Sequence, residues 1–175
     1  MKKVRINEII KEFKEHDYQS FDEFYEMTNR LVYIMIAKII KDKSLIEDLM
    51  QDTYVKFLEN IKSVSLNANP TPYLAQIAKN LAINEINKYR KVELDDELVL
   101  SIKDDKDESE SRAVELGIID YLNGDDHEVV TMHIVGEMKF KEISKVMNKP
   151  LGTVLWIYNR AIKKLRDKVG DKDGK

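Results

Sequence analysis

Apolar residues recur along this chain at spacings of three and four almost without interruption, and no stretch alternates with the period of two that a half-buried strand requires. The pattern predicts an all-α protein. Its helices fall at about residues 21–40, 45–62 and 72–91, then 113–122, 125–136, 141–147 and 151–169. Ser20 with Glu23, and Ser44 with Glu47, read as capping boxes, in which a hydroxyl and a carboxylate satisfy orphan amides of a first turn. Asn69-Pro70-Thr71-Pro72 reads as a turn that delivers Pro72 to the first helical position, where its missing N–H costs nothing. Asn123-Gly124 interrupts the periodicity, and Asn148-Lys149-Pro150 makes a tight turn in which Asn148 tolerates left-handed geometry.

Between residues 92 and 112 the apolar pattern lapses, and few large apolar residues follow Leu100 until periodicity returns at Ala113. Such a composition reads as a linker. The organisation expected is therefore two small helical domains, residues 1–91 and 113–175, joined by an acidic tether at 92–112. A chain of 175 residues is long enough for either one medium domain or two small ones with thin cores. With 43% hydrophobic and 35% charged residues, only 6 Gly and 3 Pro, disorder throughout is excluded.

The net charge of −3 argues on its face against a nucleic-acid partner, because phosphates are bound by clustered Lys and Arg. The average conceals a segregation. Residues 92–111 hold nine acidic side chains against two basic, whereas residues 139–168 hold nine basic against two acidic. One end of the chain is suited to DNA and its middle is not. The absence of cysteine excludes disulfides and thiolate metal sites and suits a reducing cytoplasm. Asn7 and Glu8 stand where a signal peptide needs an apolar run, and Lys38 breaks the apolar stretch 31–40, so neither export nor membrane insertion is expected and the location expected is the cytoplasm.

Three segments carry candidate chemistry. Residues 141–147, the turn, and residues 151–169 have a helix-turn-helix outline. On a helical wheel Leu151, Val154, Tyr158, Ala161, Ile162 and Leu165 share one face, opposite Thr153, Trp156, Arg160, Lys163 and Lys164. A solvated charged face is the ordinary reading of the second set. Trp156 shifts it, since a lone Trp among cations has no core to fill and suits base edges, thymine methyls or sugars. Arg160, Lys163 and Lys164 would then contact phosphates while the helix amino end at Gly152 and Thr153 enters the major groove.

The helix at 72–91 carries Tyr73, Gln76, Asn80, Asn84, Asn87 and Lys91 on one face, opposite a core face of Leu74, Ile77, Ala78 and Leu81. Amides are indifferent helix formers, so a row of them suits the edges of unpaired bases, with Tyr73 able to stack on one; an Asn-rich surface from an AT-rich genome is the plainer alternative. In the helix at 45–62, Asp48, Gln51, Asp52 and Val55 lie on one face and Leu45, Leu49, Thr53 and Phe57 on another. Acids and amides on a helix face are usually just hydrated, but these are equally suited to docking a basic protein.

Read together, these segments resemble one family. The run from Ile46 to Leu58, Ile-Glu-Asp-Leu-Met-Gln-Asp-Thr-Tyr-Val-Lys-Phe-Leu, is similar to the polymerase-binding helix of extracytoplasmic-function sigma factors. Pro72-Tyr-Leu-Ala-Gln-Ile-Ala-Lys-Asn-Leu-Ala-Ile-Asn resembles their promoter-melting helix, and Leu151-Gly-Thr-Val with Arg160-Ala161 and Lys163-Lys164-Leu165-Arg166 resembles their recognition helix. The three motifs stand in family order over residues 21–169, and order and spacing make the match specific. The resemblance implies a helical bundle (region 2) and a helix-turn-helix (region 4). It implies that Asp48, Gln51 and Asp52, with Val55 on their face, grip the clamp coiled coil of the largest subunit of core RNA polymerase. It implies that Tyr73, Asn80, Asn84 and Lys88 lie near the melted upstream-ten element, while the helix-turn-helix reads the upstream-thirty-five element as duplex; an anti-sigma protein is a further partner it makes plausible. Two departures stand out. Leu155-Trp156-Ile157 replaces a polar, basic run, which leans base readout toward apolar contact, and Lys139 stands where a capping Ser or Thr is common, which predicts a poorly capped first helix.

Two rival classes remain. An enzyme is poorly supported: there is no phosphate-cradling Gly-rich loop, His16, His127 and His133 lack metal spacing, and Asp125-Asp126 read as helix caps, so no catalytic residue, metal or cofactor is expected. A stand-alone helix-turn-helix regulator would need only the carboxy-terminal part and would leave the amide stripe and the Asp48 face without a use.

Overall fold

The computed structural model describes residues 2–66, 69–93, 117 and 119–170, and these are helices joined by short turns. Helix α1 (Lys2–Lys14) precedes α2 (Phe21–Ala37) and α3 (Lys43–Glu59), and a short 3-10 turn (Ile61–Ser63) leads to α4 (Thr71–Glu93). A second 3-10 turn (Ile119–Tyr121) opens the carboxy-terminal part, followed by α5 (Gly124–Ile134), α6 (Phe140–Met147) and α7 (Leu151–Gly170). Among the described residues no helix is long and apolar enough to cross a membrane. The expected linker beyond Glu93, and most of the helix expected at 113–122, lie outside the described residues.

α1 is an addition to the sequence reading. Ile6, Ile9, Ile10 and Phe13 stand at helical spacing, and Ile9, Ile10 and Phe13 are buried. The helix is held to α2 by Arg5, whose Nε donates to both carboxylate oxygens of Glu23 at 3.0 and 2.9 Å and whose second arm reaches Ser20 Oγ at 3.0 Å. This pairing removes the first expected capping box, because both Ser20 and Glu23 are occupied by Arg5 and the Ser20 side chain caps nothing. The second box is also displaced. α3 begins one residue before Ser44, and Asp42 is its cap, accepting from the Leu45 amide at 2.8 Å. Asp is as good a cap as Ser, and the earlier one takes the helix start.

The core of the first four helices is aromatic. Phe24 and Phe57 stack at 5.1 Å, with Phe13 edge-on to Phe24 at 5.5 Å. Tyr54 is buried among them with its hydroxyl 2.9 Å from Thr28 Oγ1, and burial pushes its phenol above its ordinary pKa. α4 closes this bundle with Leu74, Ala75, Ala78 and Ala82, all fully buried; the small alanines let α4 approach α2 and α3 closely.

In the carboxy-terminal part the turn between α6 and α7 behaves as its sequence dictates. Asn148 is left-handed, at φ +51, the Lys149 amide returns to the Ser144 carbonyl at 3.0 Å, and Pro150 offers its carbonyl to the Val154 amide at 3.1 Å. Lys139 leaves no exposed start at α6, because Glu142 reaches back to accept from the Lys139 amide at 2.8 Å. Val154, Ile157 and Ala161 of α7 pack inward against α5 and α6.

The two helical parts share one continuous core. α5 lies on α2 and α6 on α4, and Val129, Met132, Met138 and Ile143 are buried together with Leu31 and Val32. Gly136 marks the closest approach. A Cβ there would stand 2.7 Å from the Met132 carbonyl oxygen and 3.2 Å from Leu31, a side chain of the other part. Gly136→Val is expected to lower stability by about 1–3 kcal/mol, the usual cost of overpacking, measured by urea unfolding.

Candidate polymerase and DNA surfaces

Asp48, Gln51, Asp52 and Val55 form a row on α3 and all four are exposed, Val55 at 53%. The opposite side of the same helix buries Ile46, Leu49, Thr53 and Phe57, which holds the row outward. Val55 ends the row as an exposed apolar side chain beside carboxylates, a mixed surface of the kind that can meet a protein partner.

On α4, Asn80, Asn84, Asn87 and Lys88 are exposed, Tyr73 is at 36% exposure and Gln76 is half-buried. Gln76 donates to Asn80 Oδ1 at 3.0 Å, so one amide pair is already aligned along the helix. Tyr73 is braced from behind by Phe57, with ring centroids 6.0 Å apart. Lys88 pairs with Glu85 at 2.7 Å; that hydrogen bond and charge, with a smaller contribution from Asp52, hold its ammonium above its ordinary pKa. α3 packs directly on α4, so the acidic row and the amide face belong to neighbouring helices. The side chain of Lys91 lies outside the described residues.

α7 divides the residues expected at duplex DNA into three groups. Gly152, Thr153, Trp156 and Lys163 are exposed, Trp156 at 59%. Ile157 is not available: its side chain is 2% exposed and belongs to the core, because it sits three residues after Val154 and four before Ala161 on the inward face. Leu151, expected inward, is instead 43% exposed, since it starts the helix beyond the edge of the packed layer. Arg160 and Lys164 form the third group. Both turn toward Asp126 of α5, whose carboxylate is 1% exposed; Oδ1 accepts from Arg160 Nε at 2.9 Å and from its Nη2, and Oδ2 accepts from Lys164 Nζ at 2.6 Å. Burial works to raise the Asp126 pKa, but the hydrogen bonds and charges of Arg160 and Lys164 outweigh it and hold the carboxyl below its ordinary value.

Asp126 therefore does other work than the helix cap expected of it, and its pairing could not be found from local sequence because its partners lie 34 and 38 residues away. The sign of its pH dependence follows. With a folded pKa below the ordinary 3.8, its contribution is complete above that value and is lost as pH falls through the folded one. Asp126→Asn should lower stability at neutral pH and flatten the loss of stability between about pH 5 and the acid range, as read by urea midpoints across pH.

His133 is half-buried, its Nδ1 2.8 Å from the Met138 carbonyl and its ring stacked on Phe140 at 4.3 Å. His127 is half-buried on α5. Among the described residues no group of three His, Asp or Glu side chains converges closely enough to hold a metal ion.

Comparison with known proteins matches two separate stretches of the chain, with nearly all of the acidic segment between them. Residues 24–92 match the family described as Sigma-70 region 2, and residues 118–167 match Sigma-70, region 4. The chain is 31% identical over 135 residues to the ECF RNA polymerase sigma factor SigM of Bacillus subtilis (strain 168), covering 74% of this chain and 82% of that protein. It is 24% identical over 184 aligned residues to the ECF RNA polymerase sigma factor SigW of the same strain, covering 96% of this chain and 98% of that one. Two solved structures share its fold. The sigma factor RpoE in complex with the anti-sigma factor NepR from Bartonella quintana has a TM-score of 0.62 at 17% identity, covering 87% of this chain and 98% of that chain. CnrH in complex with the cytosolic domain of CnrY has a TM-score of 0.61 at 15% identity, covering 94% and 97%.

Proposed function

This chain belongs to the extracytoplasmic-function group of the sigma-70 family, an alternative sigma factor that directs promoter recognition, and from that membership we propose how its surfaces divide the task. Asp48, Gln51, Asp52 and Val55 dock on the clamp coiled coil of core RNA polymerase. Tyr73, Gln76, Asn80, Asn84 and Asn87, with Lys88 and Lys91, receive the unstacked bases of the upstream-ten element. Gly152, Thr153, Trp156 and Lys163 meet the upstream-thirty-five element as duplex, where Arg160 and Lys164 act behind them through Asp126.

The observation that supports this most is the pairing on one bundle of two exposed faces with different chemistry. An acidic, partly apolar row suits a basic protein surface. A neutral amide face beside an aromatic suits bases freed from pairing, since amides match base edges in both donor and acceptor. Neither face has a use in a regulator that binds duplex DNA alone.

No bond is made or broken by the chain in this reading. It supplies binding free energy to a strand opening that polymerase completes, trapping unpaired bases as they appear. It acts in the cytoplasm, where polymerase and chromosome are. A solved sigma factor that shares its fold is in complex with an anti-sigma factor, and a protein of that class is its expected inhibitor.

The test is to mix the purified chain with core RNA polymerase and genomic DNA fragments and sequence the 5′ ends of the RNA made. New starts that share an upstream motif, absent without the chain, are the expected result. DNA binding with no new starts would instead support a stand-alone regulator.

A further inference from the structure

Asp126 is 1% exposed at the start of α5, yet it takes two of the three cations that α7 was expected to offer to phosphate, Arg160 and Lys164. The geometry fixes more than charge. A carboxylate oxygen that accepts from Arg160 Nε at 2.9 Å and from Nη2 of the same group holds the guanidinium plane as well as its position. Arg160 Cζ then lies 4.3 Å from the centroid of the Trp156 ring, one turn earlier on α7. An exposed arginine ordinarily samples many rotamers. This one is pinned from below by a buried acid and covers one face of the indole, while Trp156 keeps 59% of its surface in water.

We infer that Asp126 is a positioning residue for DNA readout: through Arg160 it presets Trp156 as an apolar specificity determinant that contacts a thymine methyl in the major groove. This rests on the reading that α7 meets duplex DNA. The chemistry follows from what surrounds the indole. Leu155, the preceding residue on α7, is 37% exposed, and Asp126 offsets one of the two positive charges of Arg160 and Lys164, so the indole is presented as an apolar surface beside a reduced positive charge. The thymine C5-methyl is the apolar feature of the major groove, and an indole backed by a fixed plane meets it without first being ordered. Lys163, exposed on the same face, remains for phosphate.

Trp156 is the single tryptophan of the chain, so its fluorescence reports this contact alone. Three full-length variants separate the possibilities: Asp126→Asn, Arg160→Lys, which keeps a cation for Asp126 but loses the plane, and Trp156→Ala. In the absence of DNA, quenching of Trp156 by acrylamide is expected to roughly double in the first two, because the covered indole face is released. On duplexes carrying the upstream motif shared by the RNA starts that the chain directs, replacing one thymine by uracil should weaken wild-type binding at one position. That uracil penalty should vanish in Trp156→Ala and shrink about two- to fivefold in Arg160→Lys. Arg160→Lys carries the test should Asp126→Asn fold poorly. Unchanged quenching in Arg160→Lys overturns the positioning role whatever the DNA result. Changed quenching with a uracil penalty that is absent, or unaltered in Trp156→Ala, overturns the thymine contact.

Discussion

Reversing both carboxylates of the α3 row, Asp48→Lys with Asp52→Lys, should weaken binding to core RNA polymerase by about 10²- to 10³-fold while leaving the fold intact. Both side chains lie on the outward side of α3, whereas the buried residues Ile46, Leu49, Thr53 and Phe57 that hold the helix in place are untouched. The effect is large because reversal does two things. It removes attraction to a basic surface and adds like-charge contact there, which together cost several kcal/mol at a close interface. Binding is measured by fluorescence anisotropy of labelled polymerase at fixed salt, with duplex affinity of the same variant as the control. Full polymerase affinity in the variant would remove the α3 row from the docking surface.

The same contrast between facing and burial explains what is legible in the sequence. Periodicity finds α2 to α7 because each has one apolar face, and the wheel of α3 is right at Leu49, Thr53 and Phe57 because the helix is packed on one side only. α1 carries the same signal at Ile6, Ile9, Ile10 and Phe13, but its basic start directs attention to export instead. The misses in capping have another cause. Ser20 and Glu23 form a local pattern that a distant residue, Arg5, overrides, and Ser44 is outcompeted by Asp42 two residues earlier. Likewise the wheel of α7 shows Arg160 and Lys164 opposite the core, and it cannot show that a buried acid on another helix waits for them. Local chemistry predicts where a side chain points, and only the fold decides which partner it meets.

The seam between the two helical parts is where the second large effect is expected. Glu128 of α5, 12% exposed at its side chain, pairs with Lys79 of α4 and lies 3.9 Å from Lys38, the residue that caps the end of α2. Burial pushes the Lys38 ammonium below its ordinary pKa, with Glu128 acting in the opposite direction, so this acid is what lets two half-buried cations coexist. Glu128→Lys would crowd three cations into the seam. Breaking a buried pair costs about 3–5 kcal/mol, and partial exposure of both lysines brings the expected loss to about 2–3 kcal/mol. Each part keeps apolar packing of its own, the aromatic cluster of α1 to α4 on one side and Val130, Ala161 and Leu165 on the other, so the seam should part before either part unfolds. Urea unfolding should then split into two transitions, and the radius of gyration in solution X-ray scattering should rise. The consequence for activity runs the other way. A packed chain of this length has a radius of gyration of ~16 Å, whereas promoter elements about 25 base pairs apart are separated by ~85 Å of duplex. A chain that stays packed is too short to reach both elements, so binding to both is expected to require opening of the seam. Glu128→Lys enlarges the open fraction, so polymerase loaded with it should engage promoter DNA at least as tightly as with the wild-type chain, despite the lower stability of the free protein. Weaker engagement would mean that the seam persists on the promoter.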